Sequence, residues 1–186
     1  MEEKVNNIPL ENLEPYLTDE ALRIVKEAQS ECFLYRKKSV VSTLLLLSFL
    51  KNNINLGIPQ DKARQLVAPS AEEVPIDPPI SSLVVEAIQH SLELRKTFFL
   101  QKCDVGLLIL GFLSLKKGLH LDLFKQFGVD RVFLYNQYMR NYLVQQLTDS
   151  TSLEQKFSLF VNYQLLADKQ TQGKLEQIIG LLEKRK

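Results

Sequence analysis

Residues 40–50 read VVSTLLLLSFL, and residues 103–113, placed 63 positions later, read CDVGLLILGFL. Leu44, Leu45, Leu47, Phe49 and Leu50 recur identically as Leu107, Leu108, Leu110, Phe112 and Leu113, with Leu46 set against Ile109 and Ser48 against Gly111. Neither run keeps a polar face, and a short helix that is apolar all round must be enclosed on every side. At a rise of ~1.5 Å per residue each run spans roughly 16 Å, short of the ~20 residues that cross a bilayer. The two runs therefore read as buried central helices. A duplicated buried helix implies a duplicated unit wrapped around it.

Composition sets the frame around this repeat. A chain of 186 residues is expected to hold one domain, or one domain with an appendage, and to bury roughly 70% of its unfolded surface. The net charge of +1 supplies no overall electrostatic attraction to nucleic acid or to a membrane surface. Cys32 and Cys103 lie in apolar stretches without CxxC spacing, which predicts buried, reduced thiols in a cytosol-like compartment. The opening Met-Glu-Glu lacks the basic-then-apolar pattern of a signal peptide. The expected location is cytoplasmic, or the plastid stroma if the chain is plastid-encoded or has lost a transit peptide.

Outward from the two buried runs, the chain divides into five stretches. Residues 1–16, with Pro9 and Pro15, read as a mostly irregular lead-in. Residues 17–67 form the first unit. Thr18 caps a helix with Asp19 and Glu20 in its first turn, where the helix dipole favours acids. Ala21, Ile24, Ala28, Cys32 and Tyr35 make its inner stripe. Ser42 is placed to cap the buried helix, which ends near Lys51, and Pro59 is read as the first residue of a short helix over 60–67. Residues 68–79, APSAEEVPIDPP, carry four prolines and read as an extended linker.

Residues 80–147 are the second unit. Ile80-Ser81-Ser82 stands where Leu17-Thr18-Asp19 stood, and Val84, Ala87, Ile88 and Ser91 repeat the stripe, with Arg95 in the place of Cys32. Asp104 is expected to cap the second buried helix. An extra short helix then ends at Gly128, and Asp130 opens a longer one reaching about Leu147. Residues 148–186 form a helical extension outside the repeat. Leu153, Phe157, Phe160, Val161 and Leu165 are expected on its inner face, and Leu175, Ile178, Ile179 and Leu182 form a narrower stripe after Gly173. No strand alternation is present, so the predicted fold is all-α.

Each unit resembles a Clp N-terminal repeat, the paired helical module at the front of Clp-type AAA+ unfoldases. The family's Thr-Glu-His-Leu-Leu-Leu-Gly-Leu-Leu helix is matched by residues 42–50 and 105–113, and its Leu-Gly-Val-Asp signature by Leu56-Gly57-Ile58-Pro59 and Phe127-Gly128-Val129-Asp130. The resemblance covers residues 17–147 and implies two pseudo-symmetric helical repeats. It departs from the family in two ways. No GxxxxGK[ST] phosphate loop exists in the chain, so the resemblance is to a stand-alone double repeat of the ClpT-like accessory type found with plastid and cyanobacterial Clp proteases. The acid of the family motif, which in bacterial Clp domains can accept a modified arginine, is replaced by Thr43 and Gly106.

Candidate chemistry is sparse. His90 and His120 have no clustered partners for a metal site and read as surface or half-buried structural residues. No GxSxG elbow marks a nucleophile. Asp19-Glu20 reads as a helix start, and Glu72-Glu73 as linker. Tyr135, Tyr138 and Tyr142, with Arg131 and Arg140, read as a packing edge rather than a base-stacking platform. Glu183-Lys184-Arg185-Lys186 reads as a favourable helix end. The expected function is a non-enzymatic protein-binding module without cofactor, accessory or adaptor-like within a Clp protease–chaperone system. Its expected partner is the Clp protease core or a Clp AAA+ chaperone, met through grooves between the units and through Leu175, Ile178, Ile179 and Leu182. The alternative is a divergent structural subunit that assembles a non-proteolytic complex.

Overall fold

The structure is a computed structural model that describes residues 9–71, 73–149, 152, 154–165 and 167–168. Its helices are α1 (Asp19–Tyr35), α2 (Ser42–Lys51), α3 (Gln60–Leu66), α4 (Ser82–Thr97), α5 (Val105–Ser114), α6 (His120–Gln126) and α7 (Arg131–Asp149). A further helix, α8, covers residues 154–165. Among the described residues the only β-type pairing is two isolated parallel bridges, Leu17 with Cys103 and Val40 with Ile80.

Those bridges reveal the symmetry. Advancing Leu17 and Val40 by 63 positions gives Ile80 and Cys103, so each bridge maps onto the other when the two units exchange places. The hydrogen bonds obey the same exchange. Thr18 N donates to Cys103 O at 3.0 Å and Ser81 N to Val40 O at 3.1 Å; Cys103 N donates to Tyr16 O and Val40 N to Pro79 O, both at 2.8 Å. A relation that swaps two units and returns each to the other is a pseudo-twofold rotation. Phe49 and Phe112, equivalent under it, meet each other edge to face with ring centroids 5.3 Å apart. A residue touching its own counterpart sits beside the axis.

Around that axis the expected central helices are enclosed. Every residue of α2 from Ser42 to Leu50, and of α5 from Leu107 to Leu113, is buried. The stripes of α1 and α4 pack on them. Here one hydroxyl has moved between helices. In the first unit Ser48 Oγ on α2 donates to Ile24 O on α1 at 2.7 Å, across from Ala28. In the second unit Gly111 replaces Ser48, Ser91 replaces Ala28, and Ser91 Oγ turns back to Ala87 O in its own helix at 2.8 Å. A Cβ at Gly111 would fall 2.1 Å from Ala87 O and 2.0 Å from Ser91 Oγ. The glycine therefore lets α5 lie closer to α4 than α2 lies to α1.

The caps divide between agreement and correction. Thr18 Oγ1 accepts from Ala21 N, and Asp104 Oδ1 accepts from Leu107 N, as the sequence predicts. Asp130 Oδ1 accepts from Val132 N and Phe133 N at the head of α7. Ser42 does not cap α2: Val41 holds that position, and Ser42 is the first helical residue, its hydroxyl turned toward His120. Pro59 is the residue before α3 rather than its first, and that helix ends at Leu66. The lead-in is less irregular than expected. Two 3-10 turns, Leu10–Asn12 and Glu14–Tyr16, carry Leu10 and Leu13 into the core. The third helix that the first unit lacks exists only in the second, as α6, which packs on α2 of the first.

Candidate partner-binding surface

The position of the family acid in the second unit is closed from above. Tyr142 on α7 lays its ring against Gly106, where a Cβ would come within 2.5 Å of the ring carbons. The ring is pinned edge to face by Phe98 at 4.9 Å, and its hydroxyl donates to Asp104 Oδ2 at 2.6 Å. Burial, and then that bond to Asp104, hold the phenol far above its ordinary pKa. Asp104 thus caps α5 with one oxygen and anchors Tyr142 with the other, which leaves no room at Gly106 for an acidic side chain. Thr43, the equivalent position in the first unit, is buried.

The remaining tyrosines follow the packing reading. Tyr138 donates from its hydroxyl to Asn55 O at 2.8 Å, tying α7 to the loop after α2, and Tyr135 packs against the core. Arg131 donates to Leu113 O and so satisfies the C-terminal end of α5.

Cys32 and Cys103 are free and buried, and burial raises both thiols to about 12. They are protonated and unreactive near neutral pH. His90 lies half-buried 3.7 Å from Glu93, and burial lowers its pKa. His120 corrects the sequence reading, because it is fully buried. Its Nδ1 lies 2.9 Å from Ser42 Oγ, and Nε2 has no partner. Rings of Phe112 and Phe124 flank it. Burial first, and the nearby Arg131 charge second, push its pKa down to about 4, so the ring is neutral at pH 7. Its place between α6 and α2 makes it a link between the two units. Sequence reasoning missed this because a histidine flanked by leucines gives no sign of depth.

Glu31 was also unmarked in the sequence. It is buried on α1 with Lys51 and Arg64 each 3.7 Å from Oε1. Leu94 occupies its place in the second unit, also buried, so the cluster is an ionic substitute for an apolar contact. Among the described residues, no group of three or more His, Cys, Asp or Glu side chains is placed to hold a metal ion, and no helix is long and apolar enough to cross a membrane.

Two surface clefts among the described residues bear on partner binding. One, of about 430 Å³, lies between the lead-in, α1 and the prolines before α4. Glu11, Glu14 and Asp77 line it against Lys26, which is paired with Glu14 at 2.7 Å. Its charge is net acidic, while Pro9, Leu10, Pro78 and Pro79 supply an apolar part of its lining. The other, of about 210 Å³, is lined by Phe98, Phe99, Leu100, Gln146, Asp149 and Leu159, among others, where α8 meets the ends of α4 and α7.

The α8 contact reverses the expected inner face. Leu159 is the residue buried against the domain, Tyr163 packs partly beside it, and Asn162 Nδ2 donates to Thr97 O at 3.2 Å. The last carbonyls of a helix have no partner within it, and Asn162 supplies one to α4. That bond fixes the rotation of α8. Phe157, Phe160, Val161 and Leu165 consequently face out, with Phe157 69% exposed. Leu153 lies outside the described residues, as do Leu175, Ile178, Ile179 and Leu182.

No protein-family model matches the chain, and no curated protein does. Solved structures do. The N-terminal domain of the caseinolytic protease associated chaperone ClpD from Arabidopsis thaliana superposes with a TM-score of 0.59 at 21% identity, covering 70% of this chain and 96% of that one. The N-domain of ClpV from Vibrio cholerae gives 0.54 at 22% identity, covering 81% and 96%. A complex of the ClpV N-domain with a VipB peptide gives 0.54 at 22%, covering 81% and 99%. The fold is that of the Clp N-terminal domains: all-helical, with repeated helix pairs.

Proposed function

We propose that the chain is a non-catalytic protein-binding module, an accessory or adaptor-like component of a Clp protease–chaperone system in the cytoplasm or the plastid stroma. The observation that carries this reading is the fold itself, shared over 70–81% of this chain with Clp N-domains, one of them solved with a peptide bound. A component of this kind binds a Clp core or a Clp AAA+ chaperone through its helical surface. Helical grooves with apolar anchors provide affinity in such contacts, and a few polar groups set the register.

The closure of Gly106 by Tyr142 favours a second reading, a structural subunit of a non-proteolytic assembly, since it removes an acid that could receive a modified arginine. Affinity capture of the tagged chain from its native cell, followed by mass spectrometry, separates the two. Stoichiometric Clp core or chaperone subunits support the first reading. Recovery of a stable assembly without any Clp subunit replaces it with the second.

A further inference from the structure

The outward face of α7 is short of charge. The chain is 24% charged, yet the exposed positions of α7 from 132 to 145 carry Arg140 as their one charged group. Charged residues are depleted at the centre of protein interfaces. Along the middle of this face stand Phe133, Gln137, Arg140 and Val144, at spacings of four, three and four residues. That alternation is the seam of a coiled coil, a single line along the helix. Phe133 is 67% and Val144 57% exposed, and among the described residues Arg140 makes no ion pair. The helix is held from its other side, Tyr142 by Asp104, Tyr138 by Asn55 O and Arg131 by Leu113 O. A contact on so fixed a helix costs little further ordering.

We propose that the occupant of this face is α7 of a second copy of the chain, running antiparallel. Positions 133 and 144 share their midpoint with 137 and 140, so one twofold axis across the seam makes both pairs at once. Phe133 then meets the second copy's Val144, and Arg140 meets the second copy's Gln137, whose amide oxygen accepts from the guanidinium. Each contact occurs twice, which sets two polar layers at the centre between two apolar ones. Polar residues in such a seam fix its register at some cost in stability. Parallel pairing would instead set Arg140 against Arg140. The antiparallel arrangement also brings the positive end of each helix dipole beside the negative end of the other.

The exposed stripe on α8 is not self-complementary in this way. Glu154 and Asp168 bracket Phe157, Val161 and Leu165, so self-pairing in either direction sets acid against acid. The α7 seam runs roughly 16 Å from 133 to 144 at ~1.5 Å per residue. So short a helix pair buries less than the ~800 Å² per partner of a standard interface, and the association is accordingly weak and reversible. This inference holds under either reading of the function.

Sedimentation equilibrium of the full chain tests it, at concentrations from about 10 µM to about 1 mM, a range in which a weak pair dissociates on dilution. The expected result is a monomer at the low end and a dimer at the high end. Gln137→Arg, which sets arginine against arginine in both polar layers, is expected to weaken association at least tenfold. Adding Arg140→Gln to that variant exchanges the two partners and is expected to restore the wild-type association. Both positions are exposed, so the melting temperature should stay the same throughout. A chain that remains monomeric at the highest concentration overturns the proposal. So does a dimer indifferent to Gln137→Arg, which assigns the contact to another face, or a double variant that associates no better than Gln137→Arg alone.

Discussion

His120 ties the two units together and makes their union sensitive to acid. In the unfolded chain its pKa is the ordinary 6.5; in the fold it is about 4. Between those values the unfolded chain binds a proton that the folded protein refuses. The contribution of the neutral ring to stability is therefore complete above pH 6.5 and is lost as the pH falls toward 4. A shift of one pKa unit corresponds to ~1.4 kcal/mol. The loss attributable to His120 should reach about 2 kcal/mol by pH 5 and about 3 kcal/mol by pH 4. His120→Gln keeps a polar group near Ser42 Oγ but cannot titrate. Urea melts of both proteins at pH 7, 6, 5 and 4 should show the wild type losing more stability than the variant by these amounts. Subtracting the two curves cancels His90 and the carboxylates, and any fixed cost of the substitution moves the curves without changing their slopes. Parallel pH profiles, or a His120 imidazole that titrates near 6 by NMR in the folded protein, would refute the burial argument.

Leu46→Ala and Leu110→Ala, both in fully buried positions, should each cost roughly 2–5 kcal/mol; an unchanged melting temperature places them outside the core. Gly111→Ala should destabilise by about 1–3 kcal/mol through overpacking against the α4 backbone, and a neutral result in the same melts would mean that α4 and α5 are further apart than described. Arg36 ends α1 in the left-handed region at φ 50 with its side chain exposed, so Arg36→Gly should stabilise by about 1 kcal/mol; a lowered midpoint of chemical unfolding contradicts this. Phosphoarginine should give no calorimetric heat of binding through Thr43 or Gly106, since neither supplies a charge to its guanidinium; binding abolished by substitutions at those two positions would show otherwise.

The repeat was legible in the sequence because it is written in burial. A helix enclosed on all sides must be apolar on all sides, so α2 and α5 announced themselves, and the constant offset between them carried the two-unit plan; the caps at Thr18, Asp104 and Asp130 were legible separately, from residue type at each helix start. What the sequence could not express was which neighbour each residue would meet. Ser42 is as good a capping residue as any by type, yet it serves His120, because α6 crosses from the other unit onto α2. Gly106 reads as a missing acid until the ring of Tyr142, thirty-six positions later, is found lying on it. Extension helix α8 carries two stripes that could each face the domain, and periodicity prefers the more apolar one. In the assembled fold the other stripe faces the domain, with Leu159 buried and Asn162 donating to the carbonyl of Thr97 at the end of α4. Hydrophobic patterning is a property of one segment and is fixed by its residues alone. The choice between faces, caps and partners depends on unsatisfied groups of distant segments, which only the assembled fold brings into reach.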